Sequence, residues 1–378
     1  MWQVPLFDLN YDRRESDAVA DVLRSKWLTM GQRTQEFEKA FGEMLGSDAE
    51  CIAVSSATAA LHMALLALEV GSGDEVIVPA QTFVADANVV SMVGAVPVWA
   101  DITSHADWNV SAETIRPLIT EKTKAVIIVH FAGYPCDVEP IRSLCKDRGI
   151  GLIEDVAHAP GASVDGRKCG VIGDIGCFSF FSNKNLSVGE GGMVSSTNSK
   201  LASRLRALRS HGMSTLTLDR HRGRAVSYDV EQVGLNYRMD EMRAALGLIQ
   251  LDKLVEGNKA RLNLTRKYRE LLASTSVRVA FQDTPLTEKH AYHILPALLP
   301  EGIERMEVIE HLKQQGIQTS IHYPPFWDFT AYQNMARPQK SPIFEQIAKR
   351  ELTLPLYPTM SEDQVELVVR TLLEVVHG

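Results

Sequence analysis

The sequence predicts an α/β protein in which a large domain, built around a mixed, mostly parallel sheet, precedes a smaller C-terminal α+β domain. From about residue 50, short β-rich runs alternate with helical patterns, which is typical of chains that form parallel sheets. Several runs, such as Ala125–Val129, are apolar throughout, as expected when helices cover both faces of a sheet. Near residue 250 a long charged helical pattern begins. We therefore expect a large domain at residues 1–250, including an N-terminal segment, and a small domain at 251–378.

The predicted strands of the large domain are short runs of mainly apolar and small residues, and helical patterns separate the first five of them. The strands are Cys51–Ser55, Glu75–Pro79, Val96–Ala100, Ala125–Val129, Gly151–Glu154, Cys177–Phe180 and Met193–Ser196. The helices are Thr58–Val70, Ala85–Val93, Ala112–Ile119 and Val138–Arg148.

A helical pattern runs over Asp240–Leu251. Beyond residue 250 the pattern predicts one strand and three helices, the first of which connects the two domains. These elements are Leu251–Ala273, Tyr292–Leu299, Arg305–Gln315 and Ser361–Val376. Ser361 and Gln364 are spaced as a capping box at the start of the last helix.

Composition and charge exclude several classes of function. Of 378 residues, 45% are hydrophobic and 23% are charged, which indicates a soluble globular protein with a large core. The net charge is −8 and Lys and Arg are scattered, so we expect no nucleic-acid partner. No uncharged apolar run approaches the ~20 residues of a membrane span, and Met1–Asp12 lacks the features of a signal peptide. We therefore expect no membrane partner.

The cysteine pattern indicates a reducing cytoplasm. The count is five, which is odd, and no C-x-x-C occurs, so neither a disulfide framework nor a structural zinc site is expected. Asp155 and His158 lack a third ligand at a recognisable spacing, and we expect no metal site.

The first candidate site is Ser55-Ser56-Ala57-Thr58, between a predicted strand and a predicted helix. Small residues let a ligand approach the backbone, and a helix N-terminus offers free N–H groups to a phosphate. Taken alone, however, the segment is better explained as a helix cap.

The second candidate site follows the hydrophobic run Gly151-Leu152-Ile153, which ends in Glu154-Asp155 and is followed by His158. Ligands of open α/β sheets bind outside the carboxyl ends of the strands, where Asp155 is predicted to lie. A carboxylate that merely caps the strand end explains the segment equally well.

The third candidate site is Lys184, in a small-polar loop between the aromatic run Phe178–Phe181 and the glycine-rich turn Gly189–Gly192. Burial lowers the pKa of a lysine amine and makes it nucleophilic, so that it can form a Schiff base. Most lysines are solvated surface residues. The flanking aromatic and glycine residues make an ordinary surface loop a poorer explanation here.

Together with other motifs, these segments resemble the sugar aminotransferases of the DegT/StrS group, which are fold-type I pyridoxal-phosphate enzymes. The motifs run nearly from end to end: Lys26–Gly31, Ser56–Leu61, Pro79–Val84, Glu154-Asp155, Phe178–Phe180, Lys184, Gly189–Gly192, Asn236–Met239, His322–Pro324 and Leu354–Pro358. The resemblance implies pyridoxal 5'-phosphate (or its amino form) as cofactor, a nucleotide-linked keto-sugar as amino acceptor and glutamate or glutamine as donor. It also implies a homodimer with shared active sites.

The resemblance assigns roles residue by residue. Lys184 would hold the cofactor as a Schiff base and shuttle a proton, and Asp155 would pair with the pyridinium nitrogen and keep it protonated. The remaining cofactor contacts are expected from Phe83 against the ring, His158 near the ring hydroxyl, Ala57, Thr58 and Ser179 at the phosphate, and Asn236 at the phosphate of the neighbouring subunit. Substrate contacts are expected from Thr29, Gly31, Arg238 and His322.

Two features bear on the reaction. Val129-His130-Phe131-Ala132-Gly133 and Asp155-Val156-Ala157-His158 are more similar to members that aminate C4 of the sugar than to those that aminate C3. A 4-keto-6-deoxy sugar is therefore expected, with C3 amination as the alternative. Related dehydratases carry histidine in place of the lysine, so Lys184 argues against them, and a non-catalytic regulator on the same fold stays open.

Overall fold

A computed structural model describes residues 2–46, 48–213, 229–333 and 341–377, and it confirms the predicted α/β fold. The strands are β1 (Glu50–Val54), β2 (Glu75–Pro79), β3 (Val96–Ala100), β4 (Thr123–Val129), β5 (Gly151–Asp155), β6 (Ser163–Val164), β7 (Arg167–Lys168), β8 (Ile175–Ser179), β9 (Gly192–Ser196), β10 (Arg278–Val279), β11 (Leu295–Leu298) and β12 (Glu351–Leu354). The helices are α1 (Arg13–Ser25), α2 (Gln32–Leu45), α3 (Ala57–Ala67), α4 (Ala85–Met92), α5 (Ala112–Ile115), α6 (Val138–Arg148), α7 (Ser199–Arg209), α8 (Glu241–Leu272), α9 (Arg305–Gln314), α10 (Pro342–Ala348) and α11 (Glu362–His377).

Seven strands form the main sheet, in the order β1-β9-β8-β5-β4-β2-β3. The pairs from β8 to β3 are parallel, whereas β9 is antiparallel to both β1 and β8. The carboxyl ends of β2, β4, β5 and β8 therefore meet at one edge of the sheet, where a site is expected.

The continuous apolar run of β4 is explained by burial on both faces of the sheet. Ile127 packs into a cluster with residues of α3, α4 and α7, and Val126 and Ile128 pack into a second cluster with residues of α6. Successive side chains of a strand point to opposite faces, so a strand with two covered faces needs apolar residues at every position.

A second sheet, β10-β11-β12, is antiparallel and packs with α9 and α11 in the C-terminal part of the chain. The predicted capping box of the last helix is present, because Ser361 and Gln364 exchange hydrogen bonds between side chain and backbone. The predicted helix Ala112–Ile119 is shorter than expected, since α5 ends at Ile115 and a 3₁₀ turn follows it.

The two adjoining helical patterns of the sequence, Asp240–Leu251 and Leu251–Ala273, form one continuous helix, α8, of 32 residues. Asp240 caps it, with its carboxylate accepting the Arg243 N–H. The predicted domain limit at residue 250 falls inside this helix, and the division into two domains stays a prediction. Among the described residues no helix is long and apolar enough to span a bilayer.

Candidate active site

A cavity of about 310 Å³ lies at the carboxyl edge of the main sheet. It collects residues from the ends of β5 and β8, the start of α3, the loop after β2 and the segment after α9. Eight predicted site residues line it: Ala57, Thr58, Phe83, Asp155, His158, Ser179, Lys184 and His322. Residues that are far apart in sequence thus converge on one space.

The N-terminus of α3 forms one wall of the cavity. Ser56 caps this helix, because its hydroxyl accepts the Ala59 N–H at 3.1 Å, and Ala57 and Thr58 open the first turn at the cavity. The segment is therefore a helix cap and also part of the cavity wall. N–H groups of a first helical turn lack partners within the helix and suit an anion.

Gly192 lets the glycine-rich turn approach this wall closely. A Cβ atom on Gly192 would lie 2.6 Å from the Ser56 carbonyl carbon and 2.8 Å from the Ala57 nitrogen. No side chain fits in that space, so the backbone of β9 and the helix N-terminus form a tight cradle.

Asp155 is the last residue of β5 and is 7% exposed. One carboxylate oxygen accepts the Ala157 N–H at 2.8 Å. Burial raises the pKa of Asp155, while that N–H and the positive charge of Lys184 oppose the rise. The charged form of a desolvated carboxylate is strongly stabilised when a cationic N–H group enters the cavity beside it.

Lys184 follows β8 and faces the same cavity. Burial lowers its pKa to about 8, against the opposing negative charge of Asp155. About a tenth of the amine is therefore neutral at pH 7, far more than for an ordinary lysine, and neutral amine is the form that attacks a carbonyl group.

His158 and Tyr323 also line the cavity and contact each other. The Ala132 N–H donates to His158 Nδ1 at 3.3 Å, so His158 Nε2 carries the ring proton and donates to the Tyr323 hydroxyl at 3.1 Å. Phe83 is 54% exposed and its ring centroid is 5.5 Å from that of Tyr323. An exposed aromatic face at a cavity mouth can cover a planar ligand.

Sequence reasoning missed two residues here, Tyr323 and His293. Tyr323 lines the cavity, and its place beside the predicted His322 is a signal that could have found it. His293 contacts Lys184, its Nε2 lying 3.4 Å from Lys184 Nζ, but it lies 109 positions along the chain. No local pattern marks it.

Four predicted site residues lie away from this cavity within the chain. Thr29 and Asn236 are exposed, and Arg238 forms a β-bridge with Val54. The Gly31 N–H donates to Glu241 Oε1 at 2.8 Å. Asn236 does not cap α8, because Asp240 is the residue that does so.

A buried cluster of His130, Glu154 and Cys169 lies behind the cavity, with its possible ligand atoms within 4.8 Å of one another. Glu154 accepts the N–H groups of Gly170, Ile172 and Gly173 and also bonds to His130 Nε2. These bonds use the lone pairs that a metal ion would need, so the cluster is a hydrogen-bond network.

The model of the DegT/DnrJ/EryC1/StrS aminotransferase family matches residues 10–373. The chain belongs to this family. It is 36% identical to an uncharacterized protein of Methanocaldococcus jannaschii, across 99% of this chain and 97% of that protein.

Solved structures of this family superpose on the whole chain. The aminotransferase TlmJ from Streptoalloteichus hindustanus is 32% identical, with a TM-score of 0.90 over 100% of this chain and 99% of that one. Helicobacter pylori PseC, an aminotransferase in the biosynthesis of pseudoaminic acid, is 28% identical, with a TM-score of 0.89 over 100% and 99%. DesV of S. venezuelae is 32% identical, with a TM-score of 0.89 over 100% of both chains. The protein is a pyridoxal-phosphate-dependent sugar aminotransferase with the fold-type I architecture.

The cavity fits this cofactor. The cradle of α3 and Gly192 suits the phosphate, Asp155 suits the ring nitrogen, and the amine of Lys184 suits the aldehyde. When bound, pyridoxal phosphate supplies a carbonyl carbon that carries the amino group and a ring that withdraws electrons. The chain's own residues would hold the ring, Asp155 would keep a proton at its nitrogen, and Lys184 Nζ would move a proton.

Proposed function

We propose that this aminotransferase transfers the amino group of glutamate or glutamine to C4 of a nucleotide-linked 4-keto-6-deoxy sugar. The product would serve amino-sugar biosynthesis for a surface polysaccharide or a glycosylated metabolite. The free, buried cysteines support a reducing cytoplasm as the site of the reaction.

The observation that carries the proposal is the hydrogen bond from the Ala132 N–H to His158 Nδ1. It joins the two sequence segments that resemble C4-aminating members, so these segments act together at the cavity wall. Through this bond His158 presents its Nε2–H to Tyr323, which also lines the cavity. PseC, an aminotransferase in the biosynthesis of pseudoaminic acid, is similar over the whole chain and supports sugar biosynthesis as the context.

In this proposal Lys184 performs both proton movements of the exchange. In the donor half-reaction, Lys184 Nζ takes the proton from the carbon that bears the donor's amino group and gives it to the cofactor. In the sugar half-reaction, Lys184 Nζ moves a proton in the opposite direction, from the cofactor to the sugar carbon. A lysine whose pKa is about 8 can both accept and release a proton near neutral pH.

A substrate panel tests this proposal. The protein with bound cofactor is incubated with nucleotide-linked 4-keto-6-deoxy sugars and 3-keto sugars, with glutamate, glutamine, alanine or aspartate as donor. We expect an amino group at C4, identified by NMR of the product, with glutamate or glutamine preferred. Lys184→Ala is the control and should give no product. Amination at C3 alone would replace the proposed regiochemistry.

We further propose a homodimer whose sites are shared, with Asn236 and the Lys26–Gly31 segment facing the partner's cavity. Asn236 and Thr29 are exposed in this chain, which supports a role across an interface. Lys184→Ala and Asn236→Ala subunits, each inactive alone, are mixed under conditions that permit exchange. A shared site predicts recovery towards half the normal activity per heterodimer, because both lesions then lie in one of the two sites. No recovery despite proven exchange would place Asn236 in its own subunit's site or outside any site.

A further inference from the structure

Lys184 has a histidine partner whose lone pair is fixed by a chain of side-chain amides. His293 is 3% exposed, and its Nε2 lies 3.4 Å from Lys184 Nζ. Its other ring nitrogen, Nδ1, lies 2.9 Å from the Oδ1 of Asn185, the residue next to Lys184. Which of the two ring nitrogens carries the proton decides what His293 does to the lysine.

Backbone carbonyl groups settle the orientation of both amides in the chain, because a carbonyl oxygen can only accept a hydrogen bond. Asn258 Nδ2 donates to the Pro160 carbonyl at 3.1 Å, so Asn258 turns its oxygen towards Asn185. Asn185 Nδ2 donates to that oxygen at 2.8 Å and to the Ala291 carbonyl at 2.7 Å. Both N–H bonds of the Asn185 amide are thereby used.

The Asn185 oxygen is left to face His293, and it can only accept. His293 Nδ1 must therefore carry the ring proton and donate it to Asn185. In the neutral ring the other nitrogen, Nε2, then bears a lone pair, and this lone pair faces the Lys184 amine.

His158 makes the opposite choice at a ring-centroid distance of 4.5 Å from His293. Its Nδ1 accepts a backbone N–H, so its Nε2 carries the proton. The two adjacent histidines thus adopt opposite tautomers: His158 Nε2 carries a proton and donates it to Tyr323, whereas His293 Nε2 bears a lone pair that faces Lys184.

We propose that His293 is a positioning residue for Lys184: its Nε2 accepts one N–H of the lysine amine and so directs the amine's lone pair into the cavity. The proposal rests on Lys184 being the cofactor lysine. A neutral amine has two N–H bonds and one lone pair in a tetrahedral arrangement, so holding one N–H restricts where the lone pair points. His293 does not remove the proton itself, since burial and the positive charges of Lys184 and Arg261 hold its pKa far below the usual value.

The backbone of His293 is anchored, as a positioning role requires. The His293 N–H donates to the Ala132 carbonyl at 2.9 Å, and Arg261 Nη1 donates to the His293 carbonyl at 2.9 Å. Rigid support of this kind is what holds a reacting group in a productive geometry.

The first test reads the tautomer directly in cofactor-free protein. Imidazole ¹⁵N–¹H NMR spectra of protein labelled in histidine are recorded between pH 6 and 9, and His293→Gln and His158→Gln identify the two resonances. We expect His293 as the neutral Nδ1–H form and His158 as the neutral Nε2–H form. An Nε2–H form of His293, or a ring protonated across this range, overturns the proposal.

The second test measures how fast cofactor-free protein captures pyridoxal phosphate, with borohydride trapping, as a function of pH. Above the pKa of Lys184 the amine is neutral in every variant, so the plateau rate reports orientation. His293→Leu removes the acceptor and should lower the plateau on the order of tenfold, whereas His293→Gln restores an acceptor and should recover most of it. His290→Gln, at a nearby histidine that does not contact Lys184, is the matched control.

The pH midpoint separates positioning from charge effects. The titratable and charged groups that influence Lys184 and His293 are Asp155, His158, His322 and Arg261, and all of them stay in place in the His293 variants. Loss of the hydrogen bond between Lys184 and His293 should lower both the pH midpoint of cofactor capture and its plateau rate. An unchanged plateau in folded His293→Leu overturns the proposal. Undiminished trapping in Lys184→Ala instead overturns the assignment of Lys184, independently of the tautomer.

Discussion

Replacing Gly192 by alanine should weaken cofactor binding specifically through the phosphate. A Cβ on Gly192 would lie 2.6 Å from the Ser56 carbonyl carbon, whereas an ordinary contact begins at 3.4 Å, so the cradle must open by about 0.8 Å. The contacts on both sides are backbone atoms, which cannot rotate away. A displacement of that size breaks the geometry of a hydrogen bond from the N-terminus of α3.

The expected loss can be put on a scale. A hydrogen bond to a charged group contributes about 1.5–3 kcal/mol, and each 1.4 kcal/mol is a factor of ten in affinity. Losing one such bond to the phosphate should therefore raise the Kd of pyridoxal phosphate by roughly 10- to 100-fold.

The assay compares two ligands that differ only in the phosphate. Binding of pyridoxal phosphate and of pyridoxal to cofactor-free Gly192→Ala is followed by absorbance and compared with wild type. Gly257→Ala is the control, because a Cβ at this helical position of α8 meets only Pro358 at 4.0 Å. The thermal melting temperature verifies that both variants are folded. Equal losses for the two ligands, or no loss for either, would refute the role of Gly192 in the cradle.

Three further predictions concern charge. The rate at which the protein captures pyridoxal phosphate should rise tenfold per pH unit up to about pH 8, the pKa of Lys184, and then level off. The rate is corrected by the rate measured with acetyl-lysine at each pH, and a continued rise to pH 10 would contradict the prediction. In Asp155→Asn the midpoint of this rate–pH curve should move to lower pH, because the negative charge that raises the pKa of Lys184 is gone. The same variant should bind cofactor without turnover, and wild-type turnover would refute the role of Asp155 at the ring nitrogen. Burial raises the pKa of Glu154, but hydrogen bonds from His130 and backbone N–H groups outweigh it and lower the pKa. Its stabilisation is therefore present above the ordinary glutamate pKa and lost as pH falls through the folded value, so Glu154→Gln should flatten the acid limb of a stability–pH curve from urea unfolding. An unchanged acid limb of the stability–pH curve would show that other carboxylates account for the loss of stability at low pH.

The main sheet was predictable because its strands are buried on both faces. Runs such as Ala125–Val129 have no polar position to offer solvent, and the helical patterns between them require parallel connections. Since Asp155 and Ser179 end two of these strands, their meeting at one edge follows from the same rule. The antiparallel direction of β9 could not be predicted in this way, because the composition of a strand does not depend on the direction in which it runs.

The residues that sequence reasoning missed reach the site by tertiary packing. His293 lies just before β11, inside the run Tyr292–Leu299 that was predicted only as a strand. Its importance depends on which nitrogen meets Lys184, and that depends on amide groups of Asn185 and Asn258, 73 positions apart in the chain. Such a relation has no period and no local motif. The continuity of α8 was not predicted, because its more apolar first part and its charged second part read as two patterns that meet at Leu251.

The length of α8 restricts how this enzyme can be recombined with its relatives. Glu241 at its first turn holds Gly31 and Thr34, Asn258 near its middle bonds to Asn185, and Arg261 one turn later binds the His293 carbonyl. A chimera joined at residue 250 would take Glu241 from one parent and Asn258 and Arg261 from the other. It would also place the junction inside a continuous helix. Exchanges intended to alter sugar preference should therefore carry α8 whole, with crossover points in the loops on either side of it.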